Sequence, residues 1–214
     1  MFDALEKSVV VSACDSISRG GKALDAGAGS GRFTVELASR GLHVFACDTS
    51  QAMLNLLRSK IEHLQLQTLV DISRQDLTSL ALRSDQFDLV VCIRVLVNLD
   101  TRQNLVKGLA ELVRVCKPGG RIVFDNVNPM SLAILGKRKE SMVKTDDLKG
   151  MIESMPGITL EVGFGRRILT QTLYNIVPSL FLEPLDLVDR NLSRMLPKYS
   201  VRNYYVLRKE GAQN

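Results

Sequence analysis

The 214-residue sequence is poor in the features that mark specialised chains, and each shortage excludes something. Its four cysteines (Cys14, Cys47, Cys92 and Cys116) lie far apart and never form C-x-x-C, so neither a zinc site, nor any other metal site, nor a disulfide framework is expected. No stretch approaches the roughly 18 uninterrupted apolar residues of a membrane span. The opening residues, MFDALEKSVVVSACDS, place Asp3 and Glu6 before any apolar run and lack the basic start of a secretory leader. A reduced, cytoplasmic setting is the resulting expectation. Charge of one sign is also scarce: 28 Lys and Arg against 23 Asp and Glu leave +5, which argues against a nucleic-acid partner. Histidine is limited to His43 and His63, so the chain has few ready general bases.

What remains is ordinary globular composition, 45% hydrophobic and 24% charged, in a length that suits one domain. β-like runs alternate with helical spacing. Lys22 to Ala26, Leu42 to Cys47, Thr68 to Gln75, Phe87 to Ile93 and Arg121 to Asn126 read as strands. Arg32 to Arg40, Gln51 to His63 and Thr101 to Cys116 read as helices, with Thr101 as an N-cap and Pro118-Gly119-Gly120 as the stop. Such alternation predicts an α/β domain built on a mostly parallel sheet of right-handed crossovers. A polar stretch after Lys137 leads to a helix over Asp146 to Met155 capped by Thr145, then to Ile158–Arg166 and Ile168–Leu173. An apolar, proline-broken segment over Ile176 to Leu196 and a final strand, Ser200 to Arg208, close the chain. With no repeat and no linker, residues 1–214 form one domain: a core over 20–127 and a tail over 128–214 that completes the sheet and covers its carboxyl end.

Asp25-Ala-Gly27-Ala28-Gly29-Ser-Gly31 follows the first strand and opens the first of those helices. Glycines there permit positive φ and let a ligand approach where a Cβ would collide. Glycines also collect in plain turns, but Asp48 ends the second strand 21 residues after Gly27, where a ribose-binding carboxylate belongs. Arg32 follows Gly31, so the Lys-Ser/Thr of a phosphate-binding loop is missing, as is the third glycine of the dinucleotide fingerprint. A carboxylate at the loop's mouth repels pyrophosphate and attracts ammonium or sulfonium. S-adenosylmethionine, with adenosine, no phosphate and two cationic centres, fits that chemistry.

DAGAGSGR, VFACDTSQAML, RQDLTSL, FDLVVCIRVLVNLD and ELVRVCKPGGRIVF, in that order, resemble the motifs of the class I S-adenosylmethionine-dependent methyltransferases, in particular the small-molecule "type 11" group. The likeness covers residues 20 to 127. It implies a Rossmann-like sheet of seven strands, the last antiparallel, with helices on both faces. By this resemblance Gly27, Ala28 and Gly29 line the methionine part and Asp25 holds its amino group. Asp48 takes the ribose hydroxyls beside Thr49, and Met53 packs near the adenine. Asp76 accepts from the adenine amino group, Leu77 offers its backbone N–H, and Cys92 and Ile93 give backbone contacts beside the sulfonium. Each has a plain alternative: Asp48 as a helix cap, Asp76 as an Asx-turn acid, Met53 as helix core, Cys92 as packing.

Methyl transfer from a sulfonium is an in-line displacement, so positioning carries the rate and a general base is optional. The acceptor site of such a sheet lies outside the carboxyl ends of its strands. Arg94, Asn98, Asn126 and Tyr174 are the candidates there, with Arg94 and Asn98 the only ones offered for catalysis. The group often carries a histidine where this chain has Asn98, which leaves base-assisted oxygen methylation in doubt. A small-molecule acceptor such as a glycan or natural product is expected, by a monomer or homodimer. A nucleic-acid methyltransferase and a non-catalytic S-adenosylmethionine-binding partner subunit are the alternatives.

Overall fold

A computed structural model describes residues 2–131, 142–166, 168 and 176–211. Tyr174, one acceptor candidate, and most of the 168–173 strand segment lie outside them.

The elements follow the alternation. Helix α1 (Phe2–Cys14) precedes β1 (Lys22–Ala26), α2 (Arg32–Ser39), β2 (His43–Asp48), α3 (Gln51–His63), β3 (Val70–Arg74) and β4 (Phe87–Cys92). A short 3-10 turn (Leu96–Asn98), α4 (Arg102–Val115) and β5 (Cys116–Val127) complete the core. The tail supplies α5 (Thr145–Glu153), β6 (Ile158–Arg166), α6 (Leu182–Met195) and β7 (Arg202–Lys209), with 3-10 turns at Ser179–Phe181 and Pro197–Tyr199.

All seven strands form one sheet in the order β3-β2-β1-β4-β5-β7-β6. β1 to β5 pair in parallel, and β7 runs antiparallel between β5 and β6. This is the expected sheet. Alternate residues feed two cores. Ala23, Leu89, Val91, Val123, Tyr204 and Val206 face α1, α2 and α3, while Leu24, Val90, Ile122, Phe124, Tyr205 and Leu207 face α4 and α5. Covered on both faces, β4 has no polar side to show, which is why its sequence is nearly continuous in apolar residues.

Local chemistry sets most boundaries. Thr101 caps α4 by accepting from Asn104 N–H at 3.1 Å, a bond worth about 1 kcal/mol. Ser50 caps α3 in the same way, accepting from Met53 N–H. Two expectations are corrected. Thr145 is the first residue of α5 rather than its cap, because its hydroxyl accepts from Asn203 Nδ2 at 2.7 Å. β5, expected from Arg121, starts at Cys116 and runs through Pro118-Gly119-Gly120 with a register shift against β4, so those residues belong to the strand instead of to a turn between α4 and it.

Helix α1 is absent from the expectations altogether. It packs on α2, β4 and β5, burying Val9, Val10 and Ala13.

Candidate functional site

Connections switch direction between β1 and β4: β1 leads outward to β2 and β3, and the chain then crosses back to β4. A cleft opens at the carboxyl ends of the strands at such a switch point. Four chain segments meet there, namely the glycine loop after β1, Asp48 at the end of β2, Asp76–Leu77 after β3, and Cys92–Arg94 after β4.

The loop's glycines do different work. Gly27, at φ 78°, could not carry a Cβ without striking the Val95 side chain, and Gly31, at φ 83°, would strike Leu57. Both are demanded by the protein itself. Gly29, at φ 54°, has nothing within 4 Å of the point where a Cβ would stand. Its missing side chain leaves open space on the cleft side. Asp48 fixes this part of the loop: Oδ2 accepts from Gly29 N–H at 2.9 Å, and Oδ1 accepts from Ser50 N–H at 2.8 Å. Because Ser50 is the cap of α3, the capping alternative for Asp48 does not apply. Each of its oxygens keeps a second lone pair for a ligand hydroxyl.

Asp25 is buried under the loop, where Thr34 Oγ1 donates to its Oδ2 at 2.6 Å. Burial pushes its carboxyl up to about 6, against the Thr34 hydrogen bonds and the Arg32 charge that pull it down. Such an acid is poised to ionise when a cation arrives. Thr34 went unnoticed in the sequence, since a hydroxyl on the inward face of α2 gives no pattern of its own.

The remaining expected residues fall as follows. Met53 is substantially exposed, so it is not helix core and is free to cover a flat ligand. Thr49 offers its carbonyl to Arg74 Nε at 2.9 Å. Asp76 makes the Asx turn with Thr78 N–H and Oγ1, both at 2.8 Å, which holds its carboxyl below the usual range. Leu77 is buried against Gly108, leaving its backbone to define the loop. Ala28 and Ile93 are buried beside the cleft. Cys92 is fully buried and burial pushes its thiol well up, as it pushes Cys47 to about 12, so neither is a thiolate nucleophile. Packing is what their side chains do.

The acceptor candidates are pinned differently. Arg94 takes a left-handed backbone conformation, φ 65°, which costs a non-glycine residue roughly 1–2 kcal/mol. Two acids hold it there: Asp125 Oδ1 accepts its N–H at 2.6 Å, and Glu6 accepts from its guanidinium. Asn98 donates Nδ2 to Arg94 O at 2.8 Å, closing the same loop. Asn126 is buried at the end of β5, donating Nδ2 to Val143 O at 2.7 Å, while its Oδ1 has no partner among the described residues. The structure thus brings Arg94 and Asn98 together and sets Asn126 on the opposite face of the sheet, toward α5. Glu6, Asp125, Arg202 and Tyr204, which adjoin Arg94, had no signature in the sequence. Their partners lie up to 198 positions away. His43 begins β2, at the opposite edge of the sheet, and His63 ends α3, so neither reaches the cleft.

Among the described residues no group of His, Cys, Asp or Glu could hold a metal ion, and no helix is long and apolar enough to cross a membrane. The cleft offers an acid for an ammonium, an acid for a diol, an uncovered glycine and an exposed methionine, a set that fits an adenosyl amino acid.

Comparison with known proteins agrees. Residues 24–124 match the model of a family described as a methyltransferase domain. The ubiquinone biosynthesis O-methyltransferase of Coxiella burnetii is 29% identical over 110 residues, which is 51% of this chain and 45% of that protein. The demethylmenaquinone methyltransferase of Clavibacter sepedonicus is 39% identical over 105 residues, 49% of this chain and 40% of that protein. The chain therefore spans less than half the length of these relatives. The crystal structure of the [4+2]-cyclase SpnF superposes with a TM-score of 0.71 at 18% identity, covering 97% of this chain and 80% of that one.

Proposed function

We propose, from the match of residues 24–124 to the methyltransferase domain model, that this chain belongs to that family and transfers the methyl group of S-adenosylmethionine to a small-molecule acceptor. The observation that carries the reading is the pairing of Gly29, with open space where a side chain would stand, and Asp48, whose carboxylate accepts from its N–H and fixes the loop. A fold of this kind also carries a cyclase, so the sheet alone does not decide the chemistry and the residues at its edge must.

Gly27 to Gly29 and Asp25 would hold the amino acid end, Asp48 the ribose, and Met53 and Asp76 the adenine. The cofactor supplies an activated methyl on sulfur. The chain's part is orientation. Arg94 and Asn98 shape the loop after β4, fixed by Asp125 from β5. With both histidines away from the cleft and the Glu6 and Asp125 carboxylates engaged by arginines, a phenolic acceptor would have to arrive ionised or give its proton to solvent.

A lipophilic or aromatic acceptor of the kind the relatives' names record suits the tail better than a sugar. Ile176, Leu180, Phe181, Leu187, Val188 and Met195 are exposed on a segment tied to the carboxyl edge by Asp189, which accepts from Ile168 N–H. A partner subunit covering that row is the second reading it favours.

Thermal unfolding with S-adenosylhomocysteine and with NAD tests the cofactor assignment. A ligand at a hundredfold its Kd adds about 2.7 kcal/mol, so the first is expected to raise the Tm and NAD to leave it unchanged; equal shifts reject the assignment. Labelled-donor transfer to phenolic against glycan acceptors tests the acceptor class.

A further inference from the structure

Glu6 stands in α1, the helix that no motif announced, and its carboxylate is fully buried. Three side chains converge on it: Arg32 Nη2 donates at 2.5 Å, Arg94 Nε and Nη2 at 3.0 and 2.9 Å, and the Tyr204 hydroxyl at 3.0 Å. A carboxylate taken out of water is tolerated only when paired and hydrogen-bonded this fully. The two guanidiniums belong to opposite walls of the cleft. Arg32 follows Gly31 directly and opens α2, so it extends the glycine loop. Arg94 follows Ile93 and holds the loop after β4 in its left-handed form. Between these walls runs the junction of β1 with β4.

We propose that Glu6 is a positioning residue that locks both walls of the cofactor cleft to α1, so that docking of this helix and occupancy of the cleft stabilise each other. The inference rests on the assignment of the cleft to S-adenosylmethionine. Its physical content is linkage. With the Glu6 charge in place, Arg32 and Arg94 are drawn to one point and the cleft keeps a single width. Without it, two like charges and an arginine backbone at positive φ lose their shared anchor, and the β4 loop keeps Asp125 and Asn98 but no tie to α1 through Glu6. By reciprocity, whatever fixes the walls from the ligand side holds α1 more firmly.

Isothermal titration with S-adenosylhomocysteine and hydrogen exchange on the full chain test this. Glu6→Gln, which keeps shape and removes charge, is expected to weaken binding at least tenfold, and Glu6→Asp to recover part of the loss. Lys7→Ala removes an exposed salt bridge from the same helix to Glu36, 2.7 Å in length, without touching the cleft, and is expected to stay within twofold of wild type. In the wild type, amides of residues 2–14 are expected to exchange at least fivefold more slowly with S-adenosylhomocysteine bound. If Glu6→Gln fails to fold, that exchange measurement decides alone. A wild type that binds while Glu6→Gln stays within twofold, or whose residues 2–14 exchange equally with and without ligand, overturns the inference but leaves the cofactor assignment standing. A wild type that does not bind S-adenosylhomocysteine overturns both.

Discussion

The core and helix α6 of the tail solve the problem of burial in opposite ways. In the core, apolar residues go inside and the polar exceptions are few: Asp25 with Thr34, Asp125 with Arg94 and Arg202, and Asn126 on the α5 face. In the tail, α6 buries Asp186, Asp189 and Ser193 while Leu187, Val188 and Met195 face outward, and Leu180 just ahead of it is 81% exposed. A helix with its polar side inward is stable only if other groups satisfy that side, as Asp189 does by accepting from Ile168 N–H. The difference separates cleft residues fixed by one another's hydrogen bonds from an outer face whose apolar residues are not needed for the core.

Substitutions can break or sharpen that contrast. The largest effect is expected at Gly27→Ala, where a Cβ meets Val95 and a left-handed backbone is forced on an alanine. Overpacking and backbone strain together predict a loss of about 2–4 kcal/mol in denaturant unfolding. Gly29→Ala, with open space, should cost only about 1 kcal/mol of stability yet abolish cofactor binding; if the two variants lose equal stability, the division of labour in the loop is wrong. Next comes Asp48→Ala, expected to weaken S-adenosylhomocysteine by about 1–3 kcal/mol through lost hydrogen bonds, read by titration calorimetry. Unchanged affinity removes Asp48 from the site.

Asp25 gives the pH test. Its folded carboxyl titrates at about 6, above its unfolded value, so the stability it contributes is full below pH 4 and is lost as pH rises through 6. A bound ammonium favours the ionised form, so binding should tighten about tenfold from pH 5 to 7, by the fraction of Asp25 that must lose a proton. Asp25→Asn should flatten that dependence; a wild-type affinity already flat across this range would show that the acid does not meet the ligand's charge. The smallest effect belongs to the tail. Leu180→Ser is expected to shift stability by no more than about 0.5 kcal/mol, as for other exposed positions. A loss of 2 kcal/mol would mean that the segment packs as core.

How much was legible in the sequence follows the same division. Gly27, Gly29, Asp48, Asp76 and the strands that carry them are local features, each set by a few consecutive residues and by spacing along one chain segment. Thr101 as a cap was readable for that reason, whereas the antiparallel direction of the final strand came from the family resemblance. Helix α1 was not, because an amphipathic start with Glu6 on its buried side looks like any polar N-terminus until its partners are known. Arg94 was singled out as an acceptor candidate, but its ion pair with Glu6 was not legible and appears only in the structure.

The sequence by itself determined the α/β alternation, the glycine loop and the acid that closes it, since these depend on backbone conformations and on contacts between neighbouring segments. Only the tertiary structure decided which charges meet. Glu6 finds Arg32, Arg94 and Tyr204 across 26, 88 and 198 positions. Ion pairs of that range leave no periodicity and no spacing rule behind, because they are chosen by how the sheet brings strand ends together after the cores have packed.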